Sequence, residues 1–340
     1  MMGDIGIGVV GVLIGGFLNG SWVLPMKRLG GWRWENSWLA FSILGLVAIP
    51  WIVAVATVPQ LGAILAGASS ATMAKVLILG FGWGIGNILF GLGVNRLGVA
   101  VGYGIILGLI APIGTFLPLI VLHPERLWTR QGFALMIGTI LVVVGIVFCA
   151  IAGRRREQEA KTLAPMVQAG FFVGMVICIA SGILSPMLNF ALVFGEELQR
   201  QTAAAGASAS MSSNVLWALT LTAGFVANAG YSVYLLSKNK TWGVFSSPSS
   251  PIGYWAGTGL MGILLFASFM AYGSGAIALG PLGGIVGWPL FMSMSLITSN
   301  AWGAITGEWK GASPRAYGFS IVGIAFLIVA IVVISRGGSG

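Results

Sequence analysis

The sequence predicts an all-α integral membrane protein, with ten transmembrane helices arranged as two inverted five-helix repeats. Three observations lead to this prediction. Of 340 residues, 57% are hydrophobic and only 7% are charged, whereas soluble proteins carry about 25% charged residues. Apolar runs of about 20 residues, the length that a spanning helix needs, occur ten times. These runs do not alternate polar with apolar residues, which argues against membrane-spanning strands.

The ten predicted helices follow one another with short connections. Between the third and fourth helices only residues 95–98 remain, which is enough for a tight turn. The predicted spans are residues 5–24, 37–57, 74–94, 98–121, 132–152, 167–190, 213–236, 253–273, 279–302 and 316–335.

The chain divides into two similar halves at its strongest basic segment, residues 154–156. Residues 1–156 are predicted to form the first five-helix repeat and residues 157–340 the second. The first half ends with a short Glu- and Trp-containing loop and an apolar helix (123–152), and the second half ends the same way (307–335). Because five is an odd number, two such repeats lie in opposite orientations in the membrane, a common plan in transporters.

The basic residues predict the orientation. Twelve of the 17 Lys and Arg residues lie in the connections that follow helices 1, 3, 5, 7 and 9, including Lys161 after the fifth helix. Basic connections stay in the cytoplasm, so both termini are expected to face outward. The net charge of +9 is thereby explained by anionic lipid beside the loops. The expected partner is the bilayer, not nucleic acid.

Acid–base and metal chemistry find little support. The chain has one histidine, no carboxylate pair within an apolar run and no cluster of metal ligands. An enzyme is therefore not expected, and neither is a cofactor or a bound metal.

Polar and aromatic residues inside the apolar runs form the candidate binding set. Polar groups in hydrocarbon usually face the bundle interior or a wet cavity. An asparagine amide both donates and accepts hydrogen bonds, and an aromatic ring can lie against the C–H face of a sugar. The alternative is that these side chains only join neighbouring helices. The predicted lining residues are Asn19, Trp83, Asn87, Tyr103, Asn228 and Trp288.

The acidic residues are few, and all eight lie at or beyond the ends of the predicted helices. Glu35 and Glu308 are closest to the membrane boundary and are the candidates for proton coupling. The alternative is that each is a solvated loop residue or an ion-pair partner of Arg33 or Lys310.

Two further patterns concern packing. Glycines spaced by four residues, such as Gly80 and Gly84, predict close contacts between helix backbones. Tryptophans at 22, 32, 34 and 38 are interpreted as an aromatic belt at one membrane interface.

Several of these segments resemble the L-rhamnose–proton symporter family of the drug/metabolite transporter superfamily. The segments that carry the resemblance are Pro25-Met26-Lys27, Trp32-Arg33-Trp34-Glu35-Asn36-Ser37-Trp38, Ile49-Pro50-Trp51, Gly82-Trp83-Gly84-Ile85-Gly86-Asn87, Arg96-Leu97-Gly98 and Glu308-Trp309. The resemblance implies uptake of a 6-deoxyhexose, driven by a proton gradient, across a bacterial cytoplasmic (inner) membrane. It also implies inverted five-helix repeats.

The leading hypothesis is therefore a secondary active transporter that takes up a small neutral sugar, L-rhamnose with a proton, by alternating access. Two alternatives stay open at this point. One is an exporter of other metabolites or lipophilic cations. The other is a membrane sensor or structural subunit that transports nothing. The oligomeric state is not predicted.

Overall fold

The computed structural model describes residues 2–159, 168–247 and 252–337, and these residues are predominantly helical with no strand among them. Lys161 and the first residue of the predicted sixth helix lie outside these ranges. The helices are α1 Met2–Ser21, α2 Trp34–Ile43, α3 Ile49–Thr57, α4 Leu61–Gly67, α5 Ser70–Leu122, α6 Arg130–Glu159, α7 Gln168–Leu184, α8 Met187–Phe194, α9 Glu196–Ala204, α10 Asn214–Asn239, α11 Ile252–Ala278, α12 Gly283–Ile305 and α13 Pro314–Gly337.

The protein is a multi-pass membrane protein. Within the described residues, nine segments are long and apolar enough to cross a bilayer. They are Ile5–Arg28, Trp34–Thr57, Ser70–Gly98, Val101–Leu122, Arg130–Arg156, Phe171–Phe194, Ala209–Asn239, Ile252–Ala278 and Pro314–Gly337. Each matches one of the predicted spans.

The remaining predicted span, 279–302, corresponds to α12, which is not among these nine segments. Its 23 residues measure about 35 Å along a helix axis and include no charged side chain, but serines, Trp288 and Asn300 make it less apolar. Most of α12 is buried among other helices. A helix that faces protein more than lipid can carry more polar side chains than one in contact with hydrocarbon.

Prolines divide two of the spans. The span at 34–57 contains a π-helical turn, Leu44–Ala48, immediately before Pro50, and α3 continues from there. The span at 171–194 breaks at Pro186, between α7 and α8. In both cases proline has no N–H for the helical hydrogen bond, so the helix changes register or stops.

Helix α5 folds back on itself at Gly98, as the short connection predicts. Gly98 has φ 80° and ψ 161°, a conformation that is essentially open only to glycine. The first arm of α5 (Ser70–Gly98) and the second arm (Val101–Leu122) then pack together. Val94 lies against Gly102, and the rings of Phe90 and Tyr103 are 5.0 Å apart.

Glycines make the closest contacts between helices, as predicted. In the first arm of α5, a Cβ at Gly80 would overlap the backbone of Thr220, and one at Gly84 would lie 2.7 Å from the Cα of Gly224. The residue numbers rise together, so this arm runs parallel to α10. Parallel packing also joins the span at 34–57 to α11, where Leu44 lies near Gly259 and Gly45 faces Gly262.

Other glycine contacts join antiparallel helices. Gly8 of α1 lies near Leu279 and Gly15 near Ser268 of α11. The same arrangement joins the first arm of α5 to α7, where Gly93 faces Cys178 while the earlier Gly86 faces Ser185 just beyond its end. Helices α6 and α13 also pair antiparallel, through Gly138 near Ile334 and Gly145 near Gly323.

Candidate functional site

Asn228 joins three helices through its side-chain amide. It is fully buried on α10. Its Oδ1 accepts hydrogen bonds from Trp38 Nε1 at 2.9 Å and from Asn87 Nδ2 at 3.2 Å. Its Nδ2 donates to the carbonyls of Gly224 at 2.9 Å and Gly84 at 3.4 Å. Because both ends of the amide are occupied, Asn228 in this conformation holds α2, α5 and α10 together.

Asn87 retains free hydrogen-bonding capacity. Its side chain is half-buried, and within the described residues only its Nδ2 has a partner, so its carbonyl oxygen is available to a solute. Trp83 lies one turn earlier on the same helix, against Gly224, with its ring edge-on to Phe269 at 6.3 Å. The structure thus brings three predicted lining residues, Trp83, Asn87 and Asn228, to one helix contact.

Trp22, which directly follows α1, brings the end of the first span to the same region. It lies 5.9 Å from Trp38 and stacks on Phe41 at 4.9 Å. Asn19 precedes it by three residues. Asn19 is half-buried, and its amide has no hydrogen-bond partner in the part of the chain that the structure describes. The residues Trp22, Trp38, Asn87 and Asn228 form what we call the amide–tryptophan cluster.

The aromatic-belt interpretation is wrong for two of the four tryptophans. Trp32 and Trp38 are only 6% and 9% exposed, and both pack against other aromatic rings within the protein. Trp34, at 37% exposed, stacks on Trp38 at 4.9 Å. The sequence signal for this stacking is the four-residue spacing of Trp34 and Trp38, which places both rings on one face of α2.

Trp288 lies apart from this cluster, between α12 and the second arm of α5. Its ring is 3% exposed and stacks on Phe291 at 5.8 Å. Its Nε1 donates to the carbonyl of Ile110 at 3.1 Å. Gly114 is required here, because a Cβ at that position would overlap the indole.

Asn189, which was not among the predicted lining residues, adds further contacts beside Trp288, and we call Trp288, Asn189 and Tyr272 together the Trp288 layer. Pro118 lacks an N–H, which leaves the carbonyl of Gly114 without its helical partner. Asn189 Nδ2 donates to that carbonyl at 3.0 Å and to the carbonyl of Gly284 at 3.1 Å. Its Oδ1 accepts from the hydroxyl of Tyr272. These hydrogen bonds therefore join α5, α8, α11 and α12.

Tyr103 borders a cavity of about 160 Å³ at one end of the bundle. Its side chain is 36% exposed. We call this space the Tyr103 cavity, and its walls come from the second arm of α5, from α6, from α12 and from the loop after α12. Its polar and aromatic lining residues are Tyr103, Arg156, Ser299, Asn300, Glu308 and Trp309.

Glu308 sits at this cavity between two cations. Its carboxylate pairs with Lys27 and, at 3.1 Å, with Arg156, rather than with Lys310. Partial burial acts to raise the pKa of Glu308, but the hydrogen bonds and positive charges of Lys27 and Arg156 outweigh it, so the pKa is lowered. The half-buried carboxylate joins the segment after α1, the end of α6 and the loop after α12.

Glu35 lies in a different setting. It is 5% exposed in the first turn of α2. Its Oε1 accepts hydrogen bonds from Asn239 Nδ2 at 3.0 Å and Thr241 Oγ1 at 2.9 Å. Glu35 therefore ties α2 to the end of α10, and it is not among the residues that line the Tyr103 cavity.

A second cavity, of about 430 Å³, opens at the opposite end of the bundle. On the second arm of α5, Tyr103 lines the first cavity and Leu122 lines the second. On α12, Asn300 lines the first cavity and Gly284 lines the second. We call it the Glu196 cavity, after a residue of its α9 wall. The Trp288 layer lies between the two cavities.

Comparison with known proteins identifies the family. The profile of the L-rhamnose-proton symport protein family (RhaT) matches residues 1–339. An L-rhamnose-proton symporter of Cronobacter sakazakii is 26% identical over 343 residues, covering 99% of each protein. One from Klebsiella pneumoniae is 24% identical over 339 residues, covering 98% of each. Similarity therefore extends over the whole bundle and both cavities, and this chain belongs to the L-rhamnose-proton symport protein family.

Proposed function

We propose that this protein is a secondary active transporter that takes up a small neutral sugar, L-rhamnose with a proton, by alternating access. The observation that carries the proposal is the family match over residues 1–339. Relatives that are similar over their whole length bear the name L-rhamnose-proton symporter.

The proposed architecture has ten membrane helices in two inverted repeats, 1–156 and 157–340. Counting α12 as the ninth, helix n of the first repeat corresponds to helix n + 5 of the second. The glycine contacts agree with this correspondence. The first arm of α5 (helix 3) packs antiparallel to α7 (helix 6), and its counterpart α11 (helix 8) packs antiparallel to α1 (helix 1). The first arm of α5 also packs parallel to α10 (helix 7), and α11 packs parallel to the span at 34–57 (helix 2).

Alternating access is supported by the two cavities at opposite ends of the second arm of α5 and of α12. The Trp288 layer between them blocks continuous passage. In this proposal, Asn19, Asn87 and Tyr103 offer hydrogen-bonding groups to the sugar. Trp83, now 9% exposed, offers its ring once its contact with Gly224 opens. Asn228 and Trp288 line the path only when the helix contacts that now occupy them open.

Of the two candidates for proton coupling, we favour Glu308 over Glu35. Glu308 borders a cavity and is balanced between Lys27 and Arg156, so its protonation would weaken contacts among three segments. Within the described parts of the chain, Glu35 accepts side-chain hydrogen bonds from neutral groups of a single segment, Asn239 and Thr241.

We further propose that the membrane is the bacterial cytoplasmic membrane and that both termini face outward. The basic residues support this orientation, since Lys27, Arg96 and Arg154–Arg156 all follow odd-numbered helices. The Tyr103 cavity is then on the cytoplasmic side and the Glu196 cavity on the outer side.

The proposal is tested by uptake of labelled L-rhamnose into proteoliposomes with and without an inward proton gradient. We expect accumulation above the external concentration only with the gradient. Glu308→Gln should abolish accumulation but preserve exchange of labelled for unlabelled sugar, because exchange needs no net proton movement. Glu125→Gln, at an exposed loop carboxylate, serves as the control. Uptake that depends on neither sugar identity nor gradient contradicts the proposal.

A further inference from the structure

We infer that the Tyr103 cavity is a binding site for the transported solute, a neutral polyhydroxylated molecule of monosaccharide size. This inference rests on the proposed function. It adds contact residues that the sequence pattern did not identify, above all Asn300, and it places a solute site at the end of the bundle that carries Lys27 and Arg156.

The polar groups of the wall have unused hydrogen-bonding capacity. Asn300 Nδ2 donates to the carbonyl of Leu296 at 2.9 Å, and its Oδ1 has no hydrogen-bond partner among the described residues and can accept. Ser299 donates to the carbonyl of Gly20 at 3.3 Å and can still accept. The Tyr103 hydroxyl has no hydrogen-bond partner among the described residues. Sugar hydroxyls both donate and accept, so this mixed set matches them.

The charged groups of the cavity disfavour a cationic solute and leave acceptor groups for hydroxyls. Glu308 uses one carboxylate oxygen for Lys27 and the other for Arg156, and each oxygen keeps a lone pair for a hydroxyl. The guanidinium of Arg156 also lies 5.4 Å over the ring of Trp309, which holds it in position. Two cations beside one carboxylate leave a net positive charge, which repels a cationic solute.

The size of the cavity limits the solute. Its volume of about 160 Å³ is many times the ~10–15 Å³ that one water molecule needs on the same measure. It can therefore exchange a group of waters for a single sugar ring. The apolar residues Leu107, Ile146 and Leu296 also line the cavity and provide a wall for the C–H face of that ring.

The inference is tested by protection of a cysteine placed in the wall. Gly153 lines the cavity, and a Cβ there would meet no atom within 4 Å. Gly153→Cys is made in a variant that lacks both native thiols (Cys149→Ala, Cys178→Ala), and its alkylation by N-ethylmaleimide is followed. We expect saturating L-rhamnose to slow alkylation several-fold, and sucrose, which is too large, to leave the rate unchanged.

Asn300→Ala distinguishes direct contact from a remote conformational effect. It should raise the L-rhamnose concentration for half-protection about tenfold, the equivalent of one lost hydrogen bond. Ser293→Ala, two turns earlier on α12, removes a hydroxyl that donates to the carbonyl of Pro289 within its own helix and should change nothing. Equal protection in Asn300→Ala and the parent variant would show that closure elsewhere causes it, and the inference would fail.

The same preparation separates this inference from the proposed function. Accumulation of L-rhamnose in proteoliposomes without any protection of Cys at position 153 overturns the site and leaves the transport function intact. Absence of both uptake and protection overturns the proposed function together with the site.

Discussion

At the scale of single residues, glycines decide how closely the helices approach. Gly114 makes room for the indole of Trp288, and the freed carbonyl of the same residue accepts a hydrogen bond from Asn189. One position therefore serves the layer between the cavities twice, through its missing side chain and through its backbone.

Gly114→Ala should destabilise the protein by about 1–3 kcal/mol, the usual cost of overpacking a filled interior, because the new methyl overlaps Trp288. Gly108→Ala, on the same arm, is the matched control, since its Cβ would meet no atom within 4 Å. Thermal unfolding of the purified variants in detergent measures the difference. Equal midpoints for both variants would contradict the packing described for Trp288.

The residues of the amide–tryptophan cluster show what sequence alone can and cannot predict. That Asn87 and Asn228 face the interior follows from the cost of an amide in hydrocarbon. Their partners do not follow, because Trp38 and Asn228 are separated by 190 positions and one sequence carries no record of such pairing. Ion pairing of Glu308 with Lys27 instead of Lys310 has the same explanation.

At the scale of elements, the short helix α9 is anchored by a carboxylate. Glu197 accepts hydrogen bonds from the hydroxyls of Ser69, at 2.9 Å, and of Thr72, and from the backbone N–H of Ser69 at 3.4 Å. These groups form the N-terminus of α5. A negative charge is favourable there because the helix dipole is positive at that end.

This anchor predicts a pH dependence. The hydrogen bonds from Thr72 and Ser69 lower the pKa of Glu197 below its ordinary value of 4.5. Because the pKa of Glu197 is lower in the folded than in the unfolded protein, its ionised carboxylate stabilises the fold fully above pH 4.5, the ordinary pKa. This stabilisation is lost as the pH falls through the pKa of the folded state. Thermal midpoints should therefore decline on acidification more steeply in the parent protein than in Glu197→Gln.

The control for this prediction is Glu196→Gln. Glu196 is exposed, and its one ion pair among the residues that the structure describes is with Arg200 on its own helix, so its substitution should leave the acid dependence unchanged. Parallel acid profiles for Glu197→Gln and the parent protein would show that the carboxylate does not anchor α9 to α5.

The helices themselves were predictable because lipid forces every backbone polar group to be satisfied within its own segment. Hydropathy therefore located the spans, including the turn at 95–98. The interruptions before Pro50 and at Pro186 were not predicted, although proline was their visible signal. Helix α12 departs from the apolar composition of the other spans because its neighbours are mainly protein.

At the scale of the whole molecule, the basic residues predict that both termini face outward. Alkaline phosphatase fused after Gly340 should be active, because it folds only outside the cytoplasm, and green fluorescent protein at the same position should remain dark. Replacing Arg154, Arg155 and Arg156 with uncharged residues weakens the signal and should mix the orientations. A fluorescent fusion with inactive phosphatase would invert the proposed sidedness of both cavities.

The reversal at Gly98 has a consequence for biogenesis. Only the tight turn at residues 95–98 separates the two arms of α5, so the first arm has little free chain with which to move away from the second. We expect the two arms to enter the bilayer as a pair whose facing surfaces shield each other from lipid. A residue other than glycine at position 98 would then impair membrane insertion of the two arms, before the mature protein has folded.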